Sequence, residues 1–368
     1  MEQKQERLDR ITVLKALCCL SVISLHSYIF FSVAYIGVTV FFLISGFLLT
    51  YNYYGKNTLD DVNPALCARF SWDKIKKLYP LHILTFLFFL AEQLYGLFSG
   101  LAKPTWDFFF PIFANILLIQ SWFPKEAVYF SLNTPSWYLS VSVFLYLMFP
   151  LILKAIKRFR KVSQAVWLSA VIFVLQILFT YIGYRHGRNN EIRAWVRHVS
   201  PLLRLGNFAI GCNLGYIYLK MQNKKFGAVK AAVFEILTIL ITLLTIYNRL
   251  LPDWFPKYGP TFDYSMKYML PAIMIMIAFA FGEGPVVKLL TNRPLLYIGR
   301  LSPNMYLIHY PVIAVAAFLV TRMGGSAKIQ RAIYLIFIAV FTIGLSELYG
   351  RAEKKIKNRR KRRNETET

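Results

Sequence analysis

The sequence predicts an all-α, polytopic membrane helical bundle of about ten transmembrane helices plus one re-entrant or short helix, and three observations predict it. Of 368 residues, 57% are apolar and only 17% charged; a soluble fold of that composition would expose large apolar patches. Several stretches approach the ~20 consecutive apolar residues that cross about 30 Å of hydrocarbon as helix. The 43 Lys and Arg, set against 18 Asp and Glu, lie between those stretches and at the ends. That placement gives no single basic face, so the +25 net charge does not imply nucleic acid.

Apolar windows bounded by charge, Pro or Gly place spans at 11–31, 32–54, 77–98, 136–156, 163–185, 200–222, 227–249, 266–283, 303–321 and 328–349. The first follows a basic N-terminus like that of a signal peptide. No small-residue cleavage site follows, however, and apolar character continues through Tyr54, so it reads as an uncleaved span. The second holds Ser45-Gly46, a small pair that permits close helix approach. The third enters from Lys74-Ile-Lys-Lys77-Leu-Tyr79-Pro80, whose first and last cations fall three apart on one helical face. Before the fourth, the segment from Phe108 to Trp122 is short and contains Pro111, Asn115 and Gln120. It reads as dipping in and returning, because a further crossing would carry Lys157, Arg158, Arg160 and Lys161 to the wrong face unless the N-terminus were outside.

With that segment returning, both termini and the loops around Lys157 and Lys224 are cytoplasmic, while Asn133 and Lys257 face out. The outer loop 186–199 keeps Arg188, Arg193 and Arg197 as solvated charge. Residues 1–350 read as one membrane domain and 351–368 as a basic cytoplasmic tail, able to meet anionic headgroups at about 1 kcal/mol per basic residue. No hydrolase-like domain is expected after the last span, so a further partner would be a separate protein.

Cys18, Cys19, Cys67 and Cys212 have neither zinc spacing nor a secreted disulfide pattern, and no metal is expected. The histidines sort by depth. His186 and His198 flank an outer loop. His82 stands near the cytoplasmic end of its helix, where snorkelling or capping is expected. His309 is mid-span in Tyr-Leu-Ile-His-Tyr-Pro. His26 has the most informative context: Lys15, close to the cytoplasmic interface, precedes it by eleven residues on one helix, about 16 Å along the axis. An extended pantetheine arm is of that length, so a donor whose phosphates pair with Lys15 would bring its thioester near His26. Lys74 and Lys77 suit a polyphosphate in the same way.

These segments resemble the acyltransferase-3 family of membrane O-acyltransferases. The resemblance rests on Lys15 with His26, Gly37 to Phe47, Lys74 to Pro80, Ala114 to Ser121, Asn133 to Ser140, Arg204 to Gly211 and Gly299 to His309, in the family's order. It implies an enzyme of the plasma membrane that moves an acyl group, with acetyl-CoA or another acyl-CoA as cytoplasmic donor, to a hydroxyl of a cell-surface or exported glycan. Lys15, Lys74 and Lys77 would hold the donor phosphates; His26 would be general base or transient acyl carrier; Asn133, Trp137 and Arg204 would meet the acceptor. The chain departs from the family in having Lys for Arg at 15, 74 and 77, and Thr12, Thr39, Ser142 and Asn207 where acids are usual. Lys keeps the charge and loses the planar fork. A transporter or flippase using His26, His309, Glu235 and Arg204 as an ion path is the alternative, and a glycan-assembly scaffold without activity is a third reading.

Overall fold

The computed structural model describes residues 2–29, 32–101, 103–222, 227–247, 262 and 264–366; Lys224 and Lys257 lie outside them. Among the described residues every regular element is a helix. In chain order these are α1 (Glu2–His26), α2 (Ser32–Tyr53), α3 (Pro64–Ile75), α4 (Tyr79–Phe98), α5 (Trp106–Ile116), α6 (Glu126–Tyr129), α7 (Trp137–Lys157) and α8 (Val162–His186). Then follow α9 (Asn190–His198), α10 (Pro201–Met221), α11 (Ala228–Ile246), α12 (Met269–Phe281), α13 (Pro285–Leu290), α14 (Arg293–Val320) and α15 (Ala327–Thr366). Side-chain caps start several of them. Asn63 accepts the Leu66 N–H at 2.9 Å, Asn189 that of Ile192 at 2.8 Å and Asn292 that of Leu295 at 3.1 Å, each satisfying a donor that the first helical turn leaves without a partner.

A helix occupies each of the ten expected windows. Among the described residues seven segments are long and apolar enough to cross a membrane: Ala34–Tyr53, Tyr79–Phe98, Thr134–Lys157, Val162–His186, Ala228–Ile246, Arg293–Val320 and Ala327–Arg359. The other three are α1, α10 and the 13-residue α12. α10 buries Arg204, Asn207 and Asn213, and a helix enclosed by protein carries such groups where a lipid-facing one would not. α1 starts well before its expected window and stops at His26, five residues short of it, where Tyr28 at φ 58° turns the chain. Apolar windows mark the hydrocarbon-buried part of a helix and miss its polar ends. α14 likewise begins ten residues early, and α15 continues through residues expected to be a tail.

The helices divide into inner and outer sets. In α2, 72% of the apolar window is buried, against 17% in α8 and α15. α2 and α10 approach each other closely along their length. A Cβ on Gly46 would collide with the Phe208 carbonyl oxygen, one on Gly211 with the Leu43 carbonyl and one on Gly215 with that of Phe47. Gly211 and Gly215 are four apart and share a face, the small-xxx-small arrangement that lets membrane helices meet backbone to backbone.

α5 has 11 residues, about 16 Å of helix, too short to cross about 30 Å of hydrocarbon. A buried polar network ties it down. Fully buried His82 does not snorkel; its Nε2 lies 3.0 Å from the Asn115 carbonyl at the end of α5, donating as a C-terminal cap. Asn115 Nδ2 donates to the Pro111 carbonyl and to Ser131 Oγ, and Gln120 Nε2 to Asn115 Oδ1 and Ser136 Oγ. Elsewhere, Glu235 on α11 accepts the Val286 and Val287 N–H groups at 2.9 and 3.2 Å, closing the first turn of α13.

Gly211→Leu is expected to destabilise the bundle by at least about 1–3 kcal/mol, the usual cost of overpacking. Gly324→Leu, where no atom lies within 4 Å of an added Cβ, should be neutral. Thermal unfolding of the two detergent-purified variants checks this; equal midpoints contradict the backbone contact.

Candidate functional site

Both Lys15 and His26 lie on α1. Eleven residues advance a helix by about 1,100°, within about 20° of three full turns, so the two side chains leave the same face about 16 Å apart along the axis. Lys15 stands in mid-helix, because α1 begins at Glu2. It lines a cavity of about 250 Å³ together with Ser45, Leu78, Tyr138, Tyr146 and Tyr306. Tyr138 and Tyr306 pack with ring centroids 5.3 Å apart, and Tyr306 and His309 at 6.0 Å. An aromatic wall therefore runs from the cavity to His309.

At His309 two imidazole rings meet. His26 Nδ1 lies 2.7 Å from His309 Nε2, and the rings lie edge to edge and nearly coplanar, with centroids 5.0 Å apart and planes 11° apart. His309 is fully buried and its Nδ1 is 3.1 Å from the Met305 carbonyl oxygen. His26 is only half-buried. α14 runs on from His309 to Val320, about 16 Å further, so α1 ends beside the middle of α14. The sequence placed His309 in mid-span and grouped it with His26 only in the ion-path alternative; the signal available was two intramembrane histidines without carboxylates near them in sequence.

α14 also shows why Asn133 is where it is. Pro311 has no N–H, so the Leu307 carbonyl loses its helical donor. Asn133 Nδ2 replaces it at 3.1 Å and also donates to Thr85 Oγ1 at 2.8 Å. Asn133 is thus fully buried within the protein; its Oδ1 has no hydrogen-bond partner.

Trp137 and Arg204, the other two residues expected at the acceptor, do come together. The buried Arg204 guanidinium lies 5.6 Å from the Trp137 ring centre and 5.2 Å from that of Phe42. Its Nε donates to the His198 carbonyl at 2.7 Å, one terminal nitrogen to Ser265 Oγ at 2.9 Å and Thr39 Oγ1 at 3.4 Å, and the other to His198 Nδ1 at 3.2 Å. His198, set aside in the sequence as a loop residue, closes α9 and packs 4.9 Å from Trp137. Nothing in its spacing announced this.

Lys74 and Lys77 do not share a helical face. α3 ends at Ile75, leaving Lys77 exposed in the turn before α4. Lys74 Nζ donates to Tyr53 Oη at 2.6 Å and sits 4.5 Å from that ring's centre and 4.9 Å from that of Phe70. The turn reaches the cavity through Leu78. Of the four neutral residues at acidic family positions, Thr12 and Ser142 bond carbonyls of their own helices, Thr39 contacts Arg204, and Asn207 Oδ1 accepts from Gln176 at 2.7 Å. None of these bonds calls for a carboxylate.

A family model described as an acyltransferase domain matches residues 8–350. Acyltransferase MdmB of Streptomyces mycarofaciens is 28% identical over 292 residues, covering 76% of this chain and 68% of that protein. O-acetyltransferase OatA of Staphylococcus aureus is 26% identical over 303 residues, covering 76% of this chain and 46% of its own length. A Caenorhabditis elegans protein called regulator of hypoxia-inducible factor 1 is 23% identical over 233 residues, 56% of this chain and 46% of that one. The chain thus matches under half the length of the latter two relatives. No solved structure matches.

Arg204→Lys keeps the charge but cannot reach His198, Ser265 and Thr39 from one planar fork. It is expected to lower stability by about 1.5–3 kcal/mol, the worth of one charged hydrogen bond. An unchanged thermal midpoint for the purified variant would show that the fork is dispensable.

Proposed function

The chain belongs to the acyltransferase family whose model its residues 8–350 match, and we propose on that premise that it is a membrane O-acyltransferase moving acetyl from cytoplasmic acetyl-CoA to a hydroxyl of a cell-surface or exported glycan. The alignment of Lys15, the cavity and His26 along α1 supports this reading most directly. Lys15, Lys74 and Lys77 hold the donor phosphates, with both termini and the Lys157 cluster on that cytoplasmic side. The pantetheine arm follows the wall of Tyr138 and Tyr306 toward His26. Trp137 and Arg204 offer the acceptor an aromatic face and a cation, and Asn133 supports the α14 turn between them and the histidines.

His26 acts as general base. Its ring takes the proton of the acceptor hydroxyl as that oxygen bonds to the thioester carbonyl carbon. Collapse of the tetrahedral adduct breaks the C–S bond, and the proton passes from the imidazolium to the departing thiolate, leaving ester and free CoA. The name of OatA supports acetyl as the group moved. The transporter alternative is weaker because Glu235, one of its four residues, is engaged in capping α13.

The test is His26→Gln. An amide offers a hydrogen bond but takes up no proton near neutrality, so acetyl transfer should fall by roughly 10²- to 10⁴-fold while the folded protein still binds acetyl-CoA. Transfer within a few-fold of the unmodified protein would remove His26 from the chemistry. In parallel, Lys15→Gln should weaken acetyl-CoA binding by about 1.5–3 kcal/mol, roughly 10- to 150-fold, by titration of the purified protein. Unaltered affinity would return Lys15 to a packing role.

A further inference from the structure

We infer that His309 is a positioning residue that sets which nitrogen of His26 carries the proton, leaving His26 Nε2 as the atom that takes up the acceptor's proton. The inference rests on the acyl-transfer reading for its purpose, though the arrangement of hydrogens stands on geometry alone. A carbonyl oxygen only accepts. The contact of His309 Nδ1 with the Met305 carbonyl at 3.1 Å therefore requires a hydrogen on Nδ1, and in a neutral ring His309 Nε2 then carries a lone pair. That lone pair faces His26 Nδ1 at 2.7 Å, so the hydrogen of that bond belongs to His26 Nδ1. In a neutral imidazole the remaining nitrogen, Nε2, is the free base.

Three further features hold this order in place. The rings lie edge to edge with planes 11° apart, so turning either one breaks the bond between them. The Tyr310 ring stands edge-on to His26 at 5.4 Å between centroids. His309 is fully buried whereas His26 is half-buried, so of the two rings only that of His26 keeps a face open to a substrate. During transfer the hydroxyl proton goes to His26 Nε2 and on to the thiolate sulfur. The Nδ1 hydrogen stays in the bond to His309 throughout, and His309 neither gains nor loses a proton. Orientation of a base by a second group is the logic of a catalytic triad, here with an imidazole in the orienting place.

Two substitutions separate positioning from packing. In His309→Gln the amide oxygen reaches about where Nε2 stood and can accept from His26; in His309→Asn the shorter amide can still donate to Met305 but stops short of His26. Solid-state ¹⁵N NMR of the reconstituted full chain, with His26 assigned by loss of its signals in His26→Gln, should show Nδ1 protonated and Nε2 bare. That pattern should persist in His309→Gln and be lost in His309→Asn. Transfer of labelled acetyl from acetyl-CoA into the envelope glycan fraction should stay within a few-fold for Gln and fall roughly 10²- to 10⁴-fold for Asn, with acetyl-CoA affinity unchanged in both. A wild-type His26 protonated at Nε2 overturns the inference without any variant. So does a His26 signal unaltered in His309→Asn, or a His309→Gln protein that keeps the His26 pattern and transfers nothing, which would make His309 itself a proton carrier. If His26→Gln remains active, the general-base reading falls while the NMR result still decides the order of the pair.

Discussion

The contact of α2 with α10 is the one on which the other placements depend. Gly46, Gly211 and Gly215 bring the two backbones together with no side chain between them. At that separation Thr39 on α2 reaches Arg204 on α10, and Phe42 lies under the same guanidinium. α2 also carries Phe41 and Ser45 on the cavity wall beside Lys15 of α1. A bulkier residue at any of the three glycines would move the arginine cluster away from the wall of the cavity. Lipid tails are as apolar as leucine, so burial of apolar surface alone does not draw helices together in a bilayer. Close packing must supply the specificity, and small residues allow it.

A second constraint governs the interior. Backbone groups freed within a membrane need a protein partner, because no water is at hand. Pro311 frees the Leu307 carbonyl and Asn133 answers it; α5 stops inside the bundle and His82 meets its Asn115 carbonyl. Polar side chains that look like substrate ligands in a sequence are thus partly there to complete the backbone. Such bonds still bear on function, since the Leu307 carbonyl is two residues before His309 and fixes the helical turn that presents its ring.

Composition and window length were enough to find a helix in each of the ten windows, and among the described residues seven of these are long and apolar enough to cross hydrocarbon. They were not enough to set the ends of α1 and α14, where polar helix formers continue the hydrogen-bond ladder beyond the apolar core. The helix α3 was hidden for the same reason: Asn63-Pro64 is a clear start signal, but the residues after it carry no membrane-length run. Lys15 and His26 were legible because both lie on one helix, where spacing converts directly to distance. The partners of His26 and Arg204 were not, since His309 and His198 reach them only through the packing of α14 and α9, 283 and 6 residues away in sequence.

α15 is an unbroken helix of 40 residues, about 60 Å long, of which about 30 Å suffices to cross the hydrocarbon. The basic run from Arg351 to Arg363 is therefore carried on a rod, stiffened by the Glu347–Arg351 and Glu353–Lys357 pairs, and not on a coil. A coil draws its charges toward an anionic surface at the cost of chain entropy and relaxes outward as salt screens the attraction. A rod has no such slack. The course of the backbone along that run follows from the packing of α15 against α14, so salt would change how strongly the charges are felt while leaving the backbone where it was.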